Sequence, residues 1–299
     1  MIPAGGLPFS VHGQLPALDS PILLVQLSGW IDASGAAATA MENIARIADA
    51  KELITFDADT FIDFRARRPV MELRDGVNTR IVWSTPELRF GRDEKGKDVL
   101  LLTGPEPDNA WRFFARTVGD LAVELGVSQM IGLGAYPYGA PHTRPVGITN
   151  TTPSAETSKR LPYGKSSLDA PAGVAAILEH EMHDRGIEAI GFWAQIPHYV
   201  STMAYPAGSA ALLDAICTET GLNFDTAPLL QEAVTQRERL DQLVHSNPDH
   251  AEMLSKLEAA YDALRTQTAI DIASNMPSAD QLAEEIEQFL RDQQSGGTQ

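Results

Sequence analysis

Short apolar, β-rich runs alternate with stretches of helical spacing along most of the chain, and few architectures can bury such a pattern. The runs lie at residues 22–27, 53–56, 80–84, 99–103, 130–133, 146–149 and 189–194. Several are apolar throughout, as strands covered on both faces are. Between them, residues 33–50 place Met41, Ile44, Ala45, Ile47 and Ala48 at helical spacing. Asp108 is expected to cap a helix that runs to Leu125 and stops at Gly126, and Asp169 to cap one that ends near Gly186. Tyr205-Pro206 opens another, which Gly221 ends. Strand, helix, strand predicts an α/β fold: a largely parallel or mixed sheet with helices on both faces.

Composition changes after about residue 225. Residues 226–299 hold 13 acidic and 5 basic side chains and no good strand, while Leu254, Leu257, Tyr261 and Leu264 follow a helical rhythm. Asn247-Pro248 reads as an N-cap with a first-turn proline. Ser278 and Gln281 form a capping-box pattern ahead of Leu282, Ile286 and Phe289, and residues 295–299 are expected to be disordered. The expected organisation is a 1–225 α/β core domain and a 226–299 acidic helical C-terminal arm with a disordered tail.

Forty acidic residues against 23 basic ones give a net charge of −17, which repels phosphate backbones and anionic lipid heads. Nucleic acid and membrane are therefore not expected partners. Residues 1–10 lack the basic-then-apolar order of a leader and no apolar run reaches membrane-spanning length, so the expected location is cytoplasmic. The lone Cys217 falls in an apolar helical stretch and reads as core packing.

The motifs of common chemistries fail one by one. Gly164-Lys165-Ser166 would need a glycine where Lys159 stands to make a phosphate loop. His180 and His183 are one residue too close for a zinc-protease helix, and no third ligand is evident. Ser209 lacks the Gly-x-Ser-x-Gly elbow, and Gly132-Leu133-Gly134 continues into Ala135-Tyr136-Pro137 instead of a helix. Neither a metal nor a cofactor is expected.

In sheets of this kind ligands sit beyond the carboxyl ends of the strands. The corresponding loops hold the candidate residues. Asp57, Asp59, Asp63, Arg65, Arg67 and Arg68 form a dense run of mixed charge. Such a run either orients an anionic ligand or builds an ion-pair network at a subunit interface, which needs no ligand. Tyr136, Tyr138, His142, Arg144, His198 and Tyr199 offer acid/base groups and aromatic lining. His198 and Asp59 are the candidates for catalysis. Asp32, with Ser34, stands at the first strand-to-helix turn, where a ligand contact and a helix cap are both open.

Several of these loops carry a family resemblance. Gly29-Trp30-Ile31-Asp32-Ala33, Asp57-Ala58-Asp59 leading to Phe64-Arg65-x-Arg67-Arg68-Pro69, Leu102-Thr103-Gly104-Pro105-Glu106, Gly134-Ala135-Tyr136-Pro137 and Pro197-His198-Tyr199 together resemble the bacterial branch of the proteasome assembly chaperone 2 family. The likeness covers roughly residues 20–220. It implies a phosphorylase/hydrolase-like mixed sheet flanked by helices, with the helical stretch as a C-terminal extension, and a homo-oligomer, in this branch a trimer. Relatives that dock on the proteasome finish in a hydrophobic residue, tyrosine and any residue. The ending Gly297-Thr298-Gln299 departs from that pattern, so docking by that route is not expected.

Two functions follow. One is a non-catalytic oligomeric assembly or interaction protein with a protein partner. The alternative is a phosphorylase- or hydrolase-like enzyme acting on a small anionic or nucleoside-like substrate, suggested by the fold and by the Asp, Arg, His and Tyr content of the loops.

Overall fold

The computed structural model describes residues 7–165 and 167–274. In chain order the strands are β1 (Phe9–Val11), β2 (Ile22–Val25), β3 (Lys51–Phe56), β4 (Val70–Arg74), β5 (Val77–Val82), β6 (Glu87–Arg92), β7 (Asp98–Thr103), β8 (Gln129–Tyr138), β9 (Ile148–Thr151) and β10 (Glu188–Pro197). The helices are α1 (Ala36–Ile47), α2 (Ala58–Phe61), α3 (Trp111–Glu124), α4 (Ala155–Arg160), α5 (Val174–Asp184), α6 (Pro206–Thr220), α7 (Ala227–His245) and α8 (Pro248–Ser274). The chain divides into two compact units, Met1–Leu243 and Val244–Gln299.

The first unit is built on an eight-stranded mixed sheet of order β1-β3-β6-β7-β2-β8-β10-β9. Its centre, β7-β2-β8-β10, is parallel, and the strands outside it pair antiparallel. Strand alternation sends Leu24, Ile131 and Phe192 to one face, where α1, α6 and the start of α7 cover them. Leu23, Val25 and Met130 point to the other, under α3 and α5. Covering on both faces is what the continuous apolar runs required. Half-buried Cys217 packs against the first cluster, and burial pushes its thiol pKa up.

Two helix starts differ from the sequence expectation, each for its own physical reason. α3 begins at Trp111, not beside Asp108, because Ala110 adopts a left-handed conformation at φ 57°. Asp108 turns instead to the Asp63 backbone N–H and the Arg67 side chain. α5 begins at Val174, and its first N–H donates to the Glu106 carboxylate, which arrives from a loop 68 residues earlier. A carboxylate from elsewhere satisfies the helix start, so exposed Asp169 is not needed as a cap.

β1, β4 and β6 escaped the periodicity reading. β6 has the sequence Glu-Leu-Arg-Phe-Gly-Arg, whose charges mask the burial of Leu88 and Gly91. β4 and β5 form a separate two-stranded ribbon turned by Asp75-Gly76, with φ of 47° and 79°, a strong hairpin signal present in the sequence.

In the second unit α8 starts as the Asn247-Pro248 reading requires, with Asn247 Oδ1 accepting from the Asp249 N–H at 3.0 Å. Leu254 and Tyr261 are buried. The capping box at Ser278 and Gln281, the stripe of Leu282, Ile286 and Phe289, and the final residues all lie outside the described residues. Among the described residues, no helix is long and apolar enough to cross a membrane.

Candidate functional site

The carboxyl ends of β2, β7, β8 and β10 gather the loops singled out above. Ser28 joins the first two: its N–H donates to the Gly104 carbonyl at 2.9 Å, and its carbonyl accepts from the Glu106 N–H at 2.7 Å. The next residue, Gly29, has φ 121° and lies under the Arg67 guanidinium, where an added Cβ would stand 2.7 Å from Nη2. Arg67 Nε donates to Asp108 Oδ1 at 2.9 Å, and Asp108 Oδ2 accepts from the Asp63 N–H at 2.9 Å. Gly173 closes the far side, with no room for a side chain between Trp30 and Glu106.

This arrangement accounts for much of the charged run. Asp63 Oδ1 accepts from the Arg65 N–H, and Asp57 accepts from the Thr60 hydroxyl. The Asp57, Asp59, Arg65 and Arg68 side chains are exposed. Asp32 sits at the start of α1, its two oxygens accepting from the Ala37 and Ala38 N–H groups at 2.8 and 2.9 Å. Burial pushes its carboxyl pKa up against the opposing pull of those bonds. Its carboxylate therefore holds a helix terminus.

A second cluster lies toward α6 and α7. His142 follows β8, Tyr199 follows β10, and α7 supplies Asp241. The His142 side chain is almost fully buried, at 1% exposure. Tyr199 Oη accepts from the His142 N–H at 2.8 Å and stands 2.7 Å from Nδ1, while Nε2 lies 3.1 Å from Asp241 Oδ1. One proton assignment satisfies every group: Nε2–H donates to Asp241, and the Tyr199 hydroxyl donates to Nδ1. A cleft of about 530 Å³ opens here, lined by His142, Arg144, Tyr205, Asp214, Leu230 and Arg237. His198 is exposed, its ring edge-on to Tyr199 at 5.3 Å.

On the α5 side of the sheet the small residues Gly132, Gly134 and Gly191 admit large neighbours. Trp193 lies over Gly134 and donates from Nε1 to Thr151 Oγ1 at 3.2 Å. Thr151 donates in turn to Glu179 Oε1 at 2.9 Å. Tyr136 Oη accepts from Gln195 Nε2 at 2.9 Å, and its ring meets Tyr138 edge-on. Glu179 is 5% exposed, and burial pushes its carboxyl up to about 7.

A carboxyl raised in the folded state favours folding while it is protonated. Its contribution is full below about pH 4.5, is lost as pH rises through about 7, and is flat beyond. Glu179→Gln, which keeps an acceptor for Thr151, should be more stable than the parent by about 2 to 3 kcal/mol at pH 8, the gap closing in acid. Urea titrations across pH measure it. A gap independent of pH would mean that Glu179 is ionised without penalty.

Asp241, Arg237 and Glu179 were not read from the sequence. Asp241 lies 99 residues from His142, a separation no spacing rule spans. Glu179 did carry a signal, an acid beside Leu178 and Met182 on the buried side of α5. The residues of the failed motifs have ordinary places: Ser209 is buried and donates to the Ala36 carbonyl, and His180 and His183 are exposed. Among the described residues, no group of three or more His, Cys, Asp or Glu is placed to hold a metal ion.

A family model described as the PAC2 family matches residues 26–244. No curated protein matches the chain. A Mycobacterium tuberculosis protein of unknown function shares 31% identity at a TM-score of 0.79, covering 87% of this chain and 93% of its own. A Streptomyces avermitilis PAC2 family protein shares 31% at 0.71, over 78% and 99%. A Mycobacterium tuberculosis proteasome-assembly chaperone homologue shares 27% at 0.72, again over 78% and 99%. With the match running from the end of β2 into α7, and so through the sheet and the loops that carry both clusters, the chain belongs to the PAC2 family.

Proposed function

We propose that this protein is a non-catalytic, homo-oligomeric assembly or interaction protein, which holds other protein surfaces and turns over no substrate. The observation that carries the reading is the mutual engagement of the polar groups at the strand ends. Asp32 is spent on α1, Arg67 and Asp108 on each other, and His142 on Tyr199 and Asp241. Such networks specify and stiffen loops. The exposed Asp57, Asp59, Arg65 and Arg68 then serve as charged contacts, and exposed His198 as a polar one, at a protein surface. Likeness to the mycobacterial assembly-chaperone homologue supports the same reading.

The finer proposal is a cytoplasmic trimer with a protein partner, in which the acidic stretch that holds α7 and α8 offers subunits or partners a further surface. Light scattering over a wide concentration range tests it. A mass three times that of one chain is expected; a monomer throughout, together with melting raised by phosphate or a nucleoside, would overturn the reading in favour of the enzyme.

A further inference from the structure

At the β9 end of the sheet one carboxyl joins three elements. Glu179 leaves α5 and lays its side chain toward Gly132 and Gly191, which pair directly across β8 and β10. An added Cβ would stand 2.4 Å from Oε1 at Gly191 and 3.9 Å from it at Gly132. Two glycines side by side thus make the space that the carboxyl fills. Oε1 accepts from the Thr151 hydroxyl of β9, whose oxygen accepts in turn from Trp193 Nε1 of β10. α5, β9 and β10 are tied at this one group. β9 has little else to hold it: it is a four-residue strand at the end of the sheet order, with β10 as its one strand neighbour and with every residue half-buried or exposed.

Among the described residues, no counter-ion answers a charge at Glu179. β8 and β9 carry no charged residue, and Glu188, at the start of β10, is held by Arg160. On α5, His180, His183 and Asp184 are exposed, and Glu181 pairs with Arg185, which also holds Asp120 of α3. Arg112, Arg116 and Glu124 of α3 are exposed as well. Burial therefore favours the protonated carboxyl, while the Thr151 bond pulls the other way. We propose that Glu179 is a proton-operated latch on the edge of the sheet: protonated, it stays in its glycine space and holds β9 to α5, and on losing the proton it moves to water and lets β9 part from α5. A carboxyl raised to about 7 in the closed state and ordinary, at 4.5, in the open one makes opening rarer in acid and commoner as pH rises to about 7, with no further change above.

Hydrogen exchange of the full chain between pH 5 and 8, each rate taken relative to the unstructured peptide at the same pH, tests it. Protection of β9 should fall by roughly a hundredfold over this range, most of it below about pH 7. At pH 8 β9 should exchange about tenfold or more ahead of β7, which stands four places away in the sheet. Glu179→Gln, which cannot ionise, should keep β9 protected throughout. Thr151→Val, which keeps the branched shape and removes the hydroxyl, should leave β9 poorly protected at every pH. The latch is overturned by β9 protection that ignores pH in the parent, by a Glu179→Gln variant that follows the parent's course, or by β9 and β7 exchanging together at pH 8. A Thr151→Val variant as well protected in acid as the parent overturns it too.

Discussion

Gly104→Ala should cost about 3 kcal/mol or more, an unusually large loss for the addition of one methyl group. Gly104 directly follows β7 at φ 110°, a region that side chains rarely adopt, and an added Cβ would stand 2.5 Å from the Thr85 carbonyl oxygen and 2.9 Å from Pro86 Cα. Both obstacles are backbone, so no rotamer change relieves them. The consequence reaches the candidate site, because the Gly104 carbonyl holds the Ser28 N–H and thereby the turn that seats Trp30 and Asp32. Gly76→Ala is the matched control: φ is 79° there, with nothing within 4 Å, and only the conformational cost of about 1 kcal/mol applies. Urea unfolding compares the two. Equal losses would place the whole effect in backbone conformation and none in the close approach.

Phe61→Ala should cost about 3 to 5 kcal/mol. Phe61 is fully buried on α2, with ring centroids 5.2 Å from Phe114, 5.9 Å from Phe113 and 6.3 Å from Phe56. Its carbonyl also accepts from the Asp108 and Asn109 N–H groups. A cavity beneath α2 should therefore loosen the Arg67–Asp108 pair along with the core. Urea unfolding combined with hydrogen exchange over residues 57–68 reads both effects. A cost below about 1 kcal/mol would mean that neighbouring rings collapse to fill the space.

Both variants act where local pattern and tertiary packing meet, and there the limits of the sequence are visible. Residues 57–68 read as a charged run open to a ligand or an interface. Their backbone is in fact anchored from beneath by Phe61, an apolar residue within the run. His142 and Tyr199 were legible as loop residues of acid/base type, but the third member of their cluster, Asp241, lay in a stretch read only as helical. The Asp75-Gly76 turn was legible and went unread, because the strands beside it carry arginines where a core strand would alternate.

The sequence by itself determined the α/β class, the covering of the central strands on both faces and the points where α6 and α8 begin. Those properties are local: a run of apolar residues, or a proline at the first turn, states its requirement within a few positions. Only the tertiary structure decided that Glu106 caps α5, that Asp108 serves Arg67, and that the ribbon stands clear of both cores. Periodicity reports that a face must be buried and is silent on its partner. Which carboxylate meets which N–H, across 41 or 68 residues, is set by how the packed layers bring distant loops together.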